Sequence, residues 1–364
     1  MLSERKERDS RFELLRIIAM LMIIFHHIMQ KTFEPSFITP EVLKSLDAWQ
    51  TFGARGVYWM GMVGNYCFMM ISGWFLCKSK FTMKKWLTLY AEVFFYSVVI
   101  GLIMFLTGKS GKIEFAKCFL ALSCSGNWYI WAYLTFFVTV PFLNKLIENL
   151  SKKEHLAIAV FFVLIGNVLP CLWFTKWPML TGSLFPFYVS YFAASYVRIY
   201  GIDFFNNKSL NLVLLILSLA FLLSWSVFVK KVGDYVPIFY EKRFALYALV
   251  GADMKRILPF FAGFMFLMVF KDLKIRSSKI INLLGSATLG VYLIHENKDF
   301  KYFLWHGIFK TTEVQNHLHL IIYAMVLTFL VFNACTLIDI LRKKFIEPGY
   351  LKLINKALAN YGQK

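Results

Sequence analysis

The sequence predicts an all-α fold, a polytopic membrane helix bundle of about ten transmembrane helices forming one domain over residues 1–364. Three observations carry this. Hydrophobic residues make up 59% of the chain and charged residues only 17%, against just under half and about a quarter in a soluble domain. Ten apolar segments approach the ~20 residues that a helix needs to span a bilayer. The net charge of +19 is spread between those segments instead of forming one basic patch. A soluble multidomain enzyme, a disulfide-stapled module and a nucleic-acid binder are excluded on these grounds.

The segments are 14–30, 57–77, 86–107, 128–147, 155–174, 182–200, 209–229, 256–270, 281–296 and 318–341. The first follows a basic stretch, but Arg16, His26 and His27 interrupt it and no small-residue cleavage site follows, so it reads as a span and not a signal peptide. The second and ninth are the weakest, carrying Gly, Ser, Asn or His among their apolar residues. Polar residues survive at membrane depth only where they are buried in protein or line a cavity, so the weak spans are where a site is expected. The polar stretches 31–56 and 230–256 read as outward loops. In the second of these, Tyr235, Phe239, Tyr240 and Arg243 suit either glycan stacking or a simple interfacial cap.

With the amino terminus inside, 24 of the 40 basic residues fall on inner segments. By the positive-inside rule both termini are then cytoplasmic. The six cysteines Cys67, Cys77, Cys118, Cys124, Cys171 and Cys335 show no metal-ligand spacing, and no metal site is expected. Cys118 and Cys124 share a loop and could pair in an oxidising compartment.

Ionisable groups inside spans are functional candidates by default. Arg16 and His27 lie 11 residues apart, which is 20° beyond three helical turns, so they share a face about 16 Å apart along the axis. His26 points elsewhere. Arg16 could hold an anionic group as a permanently charged planar donor, or anchor at the interface. His27 suits general base work or brief covalent carriage of a transferred group, or is a packed, hydrogen-bonded histidine. Trp128, Tyr129 and Trp131 could equally be an aromatic belt. His295 and Glu296 end a Gly-interrupted helix, with Tyr292 nearly on the same face as His295. Glu92 is a further carboxylate inside a span, suited to a His or Lys partner or to a helix contact. These groups describe either a group-transfer enzyme with an anionic donor inside or a transporter of a lipid-linked sugar or small anion.

Four stretches resemble one family. Leu15-Arg16-Ile17-Ile18-Ala19-Met20 through His27 resembles the Arg-x10-His signature of the bacterial membrane acyltransferases called acyltransferase family 3. Phe68-Met69-Met70-Ile71-Ser72-Gly73-Trp74 resembles its Phe-Phe-x-x-Ser-Gly-aromatic motif. Trp128-Tyr129 through Tyr133-Leu134 to Pro141, and Gly290-Val291-Tyr292-Leu293-Ile294-His295, resemble two later ones in the same order.

The resemblance implies about ten spans, acyl-CoA as donor on the inside, and a carbohydrate acceptor outside or on a lipid carrier, in a bacterial cytoplasmic membrane. It places Arg16 and His27 on the family's essential pair and Ser72-Gly73 on a structural turn. On that reading, the shared face of Arg16 and His27 and the polar residues in the weak spans predict that His295 and Glu296 orient the acceptor, and Lys84, Lys85, Ser72, Trp128, Tyr129 and Tyr292 are expected to contact acetyl-CoA. The chain departs from the pattern after the Ser-Gly motif, where many relatives carry an Arg-x-x-Arg pair. Here the basic residues are Lys78, Lys80, Lys84 and Lys85, which bind phosphate as point charges and not bidentately. His26 is an additional histidine beside the matched one.

Overall fold

A computed structural model describes residues 8–33, 47–53, 58–121, 127–171, 182–235, 256–314 and 319–361. Among these there is helix and no strand. The helices that matter for the site are α1 (Ser10–Thr32), α2 (Tyr58–Leu76), α3 (Met83–Leu106), α4 (Trp128–Glu148), α5 (Lys152–Val163) and α6 (Phe185–Tyr200). They continue with α7 (Lys208–Tyr235), α8 (Ile257–Lys271), α9 (Lys279–Ser286), α10 (Thr288–His295), α11 (Leu320–Phe345) and α12 (Glu347–Tyr361).

All ten predicted segments overlap helix. Among the described residues, six helical stretches are long and apolar enough to cross a membrane: α1, α3, α4, α5 with its extension to Cys171, the first 18 residues of α7, and α11. Ile257–Lys271 and Lys279–His295 are shorter apolar helices. The ninth predicted segment is not one continuous helix. It breaks at Ala287, where φ −87° and ψ −6° end α9 and open α10. Large apolar residues such as Leu106, Ile216, Leu217, Phe329 and Leu330 are exposed on the outside of the bundle, as expected of surfaces whose solvent is lipid. The Cys124 half of the proposed pair with Cys118, and the loop residues Phe239, Tyr240 and Arg243, lie outside the described residues.

Helix α1 is central. Asp9 caps it, its carboxylate accepting the backbone N–H of Arg11 at 3.1 Å, and the helix packs on α2, α8, α9, α10 and α11. Helix α2 packs in turn against α6 and α8. One end of the bundle is tied by hydrogen bonds from side chains to helix-end carbonyls. Arg11 donates to the Lys271 carbonyl at 2.5 Å, and Asn144 to those of Leu76 and Ser79 at 3.1 Å. Arg198 donates to the carbonyl of Trp74. Such bonds satisfy carbonyls that a helix terminus leaves without intrahelical partners.

Ser72 and Gly73 do not form a turn. Both lie within α2, and Gly73 is where α2 meets α6: a Cβ there would stand 2.8 Å from the Tyr191 Cα and 2.9 Å from the Ser190 carbonyl oxygen. The small residue serves backbone-to-backbone approach, the usual role of small residues between membrane helices.

Candidate active site

The weak spans do converge on one place. Helices α1, α2, α3, α4, α9 and α10 enclose a cavity of about 440 Å³. Its lining runs in a consistent direction along each helix: Arg16, Met20 and Ile23 on α1; Ser72, Phe68 and Asn65 on α2; Tyr133 and Tyr129 on α4; Thr288 and Tyr292 on α10. Arg8, Lys343 and Glu347 lie at the mouth. The other end is aromatic, with the Tyr129 and Tyr292 ring centroids 6.1 Å apart, and also carries Asn65 and Ile23.

The mouth is charged and cross-braced. Glu13, itself buried, accepts from Arg8 at 3.1 Å and also pairs with Arg16. Gly285 makes room for it, because a Cβ at that position would stand 2.6 Å from the Glu13 carboxylate oxygen. Arg16 therefore faces the cavity with one carboxylate already in place. Beside it, Glu92 pairs with Arg342 at 3.1 Å, so its partner is an arginine from α11, not a histidine or lysine. Arg342 also bonds Asp339 at 2.9 Å and Glu347 at 3.2 Å, and Lys343 bonds Asp339 at 2.8 Å. Tyr96 donates to Asp339 at 2.9 Å. Buried charges persist only when paired and hydrogen-bonded in this way.

One layer beyond the closed end sits the histidine pair. His27 Nδ1 lies 3.0 Å from His295 Nε2, and His295 Nδ1 lies 2.6 Å from the Val291 carbonyl oxygen. A carbonyl only accepts, so His295 carries its proton on Nδ1 and presents a bare Nε2. His27 must then donate from Nδ1, which leaves its Nε2 as the basic nitrogen. Glu296 approaches the same His27 nitrogen at 3.6 Å with one oxygen and holds Lys301 at 2.6 Å with the other. The His27 and Tyr292 rings are 6.5 Å apart, which places the pair directly behind the cavity wall.

The predicted site residues thus divide. Arg16, Ser72, Tyr129 and Tyr292 line the cavity. His27, His295 and Glu296 meet behind its inner end. Trp128 is 39% exposed and its ring turns to Tyr129 at 5.6 Å. Lys84 and Lys85 are exposed in the first turn of α3, one turn before the lining residues Thr88 and Leu89. His26 is buried against Gly61 of α2, whose missing Cβ leaves room for the imidazole. Sequence reasoning did not single out Lys301, Asn65, Asp339 or the pairing role of Arg342. The signal for the last was present: Asp339, Arg342 and Lys343 stand at helical i, i+3 and i+4 spacing.

A family model described as an acyltransferase domain, that of acyltransferase family 3, matches residues 9–339. The chain belongs to this acyltransferase family. The match spans the histidine pair, all four motifs and most of the cavity lining, leaving out Arg8, Lys343 and Glu347 at the mouth, and stops just short of Arg342. No curated protein and no solved structure gives a significant match. The acyltransferase is thus a helical membrane protein whose family motifs gather around one cavity.

Proposed function

We propose that this acyltransferase moves a short acyl group, acetyl in the simplest case, from acyl-CoA to a hydroxyl of a cell-surface or lipid-linked glycan. The donor enters from the cytoplasmic face of a bacterial inner membrane, where both termini lie. The observation that carries the reading is the cavity with basic groups at its mouth and the His27–His295 pair behind its closed end. Arg8, Arg16 and Lys343 attract the phosphates of the donor, and the thioester arm extends along α1 towards Ile23 and Tyr292.

His27 acts through Nε2. It takes the proton from the acceptor hydroxyl, whose oxygen attacks the thioester carbonyl carbon. The carbon–sulfur bond then breaks and the leaving thiolate takes the proton from His27. His295 holds the ring in the required tautomer. Glu296 stabilises the imidazolium formed in between and, with His295, orients the acceptor. A general base of this kind supplies ~10²–10⁴ in rate.

The test uses purified protein in nanodiscs with labelled acetyl-CoA and a lipid-linked glycan. Label is expected in an ester on the glycan, and His27→Ala is expected to lower transfer by ~10²–10⁴, with His26→Ala much milder. Full transfer by folded His27→Ala would refute the base assignment. Movement of the glycan across vesicles without transfer of label would put the chain in the transporter class instead.

A further inference from the structure

Lys301 lies outside the four family motifs, yet its ammonium is 2.6 Å from the Glu296 carboxylate that approaches His27. We propose that Lys301 is a positioning residue for catalysis: by holding Glu296 it prevents the carboxylate from taking the Nδ1 proton of His27 away from His295. The inference rests on His27 as the general base.

The competition is built into the distances. His27 Nδ1 is 3.0 Å from His295 Nε2, within hydrogen-bond range, and 3.6 Å from the nearer Glu296 oxygen, beyond it. A carboxylate is the stronger acceptor, since charge-assisted hydrogen bonds are about twice as strong as neutral ones. Left alone, Glu296 would close the gap and turn the imidazole, and with it the basic Nε2 on the opposite side of the ring. Lys301 removes that tendency by neutralising Glu296 and drawing it the other way.

Local backbone keeps the lysine in place. The chain leaves α10 in a tight turn, in which the Phe300 and Lys301 N–H groups donate to the Asn297 carbonyl at 3.1 and 2.8 Å. The Asp299 N–H donates to the Asn297 side chain at 3.0 Å, and Asn297 is buried. The Lys301 side chain thus folds back over five residues onto Glu296. The other titratable or charged groups facing His27 are His26 and Lys31 from α1 and Tyr292 and His295 from α10. Lys31 sits over the Tyr302 ring at 4.3 Å.

The experiment is a double-mutant cycle on the full-length protein in nanodiscs. Lys301→Met should lower kcat ~10²-fold, the cost of a misplaced reacting group, with KM for both substrates unchanged. Lys301→Arg should retain most of the rate. In a Glu296→Gln background, Lys301→Met should cost nothing further, because the competing carboxylate is gone. Lys301→Gln, which keeps a polar side chain, serves the same comparison if the methionine variant does not fold. Losses that multiply in the Glu296→Gln background, or wild-type kcat in Lys301→Met or Lys301→Gln, would overturn the proposal. If instead His27→Ala keeps its activity, it is the base assignment that fails.

Discussion

His27 and His295 are 268 residues apart in sequence and 3.0 Å apart in space. The first belongs to the most buried of the six long apolar helices and the second is the last residue of a short, interrupted one. Because His295 is anchored on the Val291 carbonyl, its unprotonated nitrogen is fixed and the tautomer of His27 follows from it. His295→Ala should therefore lower kcat by ~10–10², with donor and acceptor KM nearly unchanged, since the hydrogen-bond partner that orients a functional imidazole typically carries that much. His295→Asn, with a side-chain carbonyl available as acceptor, should recover part of the rate. Steady-state kinetics on the two variants separate orientation of the base from substrate binding.

Arg342 should matter for stability more than for chemistry. It is 3% exposed and joins Glu92, Asp339 and Glu347. Arg342→Met takes the cation from buried Glu92 and leaves Asp339 with Lys343 alone, a change that typically costs about 3–5 kcal/mol. The expected outcome is a large drop in the detergent-solution melting temperature. Replacing Glu92, Asp339 and Arg342 together by apolar residues of similar volume should restore much of it. A melting curve of Arg342→Met that matches the wild type would show that the network carries no stability.

Asp9 sets a pH limit on the amino-terminal end of α1. The Arg11 guanidinium and N–H groups hold its carboxyl below the usual value of 3.8, outweighing partial burial. A depressed carboxyl contributes stability that is fully present above the unfolded value and lost as pH falls through the folded one. The wild type should therefore lose stability relative to Asp9→Ala only below about pH 3.8. Near neutral pH, Asp9→Ala should cost about 0.5–2 kcal/mol as a lost N-cap. Melting temperatures of the two proteins against pH test both the size and the sign.

At Gly73 the α2–α6 contact leaves no space for a side chain, because the neighbours of a new Cβ are the Tyr191 Cα and the Ser190 carbonyl, both backbone. Gly73→Val should force the helices apart and cost about 1–3 kcal/mol, while Ser72→Ala in the same motif should leave the melting temperature almost unchanged. Thermal unfolding of the pair distinguishes a packing role for the motif from a role in the cavity.

Helix content and the location of the site were legible because both depend on local composition. Long apolar runs give the spans, and the polar residues in segments 57–77 and 281–296 mark where the bundle is not facing lipid. Arg16 and His27 could be related by helical geometry alone because they share α1. The rest depends on which helices meet. Nothing in the sequence near Glu92 announces Arg342, since the pair joins α3 to α11 across 250 residues. The position of Ser72-Gly73 inside a helix was hidden for a related reason, since glycine marks a turn or a close helix contact equally well until the partner helix is known. Lys301 escaped notice because it reaches Glu296 around a turn, where helical spacing gives no guide.

The closed end of the cavity should set acyl-chain length. Ile23 lines it one turn before His27, as do the Tyr129 and Tyr292 rings. An acyl chain reaching His27 from Arg16 must end in this space, so each added methylene meets Ile23 or a tyrosine ring. A hydrophobic pocket discriminates by about 1–3 kcal/mol per methylene, or 10–200-fold. Ile23→Ala removes side-chain volume at that wall without touching the histidines. The ratio of kcat/KM for butyryl-CoA to that for acetyl-CoA should therefore rise at least ~10-fold, mainly through faster use of the longer donor. Tyr133, nearer the mouth, supplies the comparison: Tyr133→Ala should widen the passage and leave the ratio nearly unchanged. Competition between the two donors in one reaction reads the ratio directly, and an equal shift in both variants would mean that chain length is not measured at Ile23.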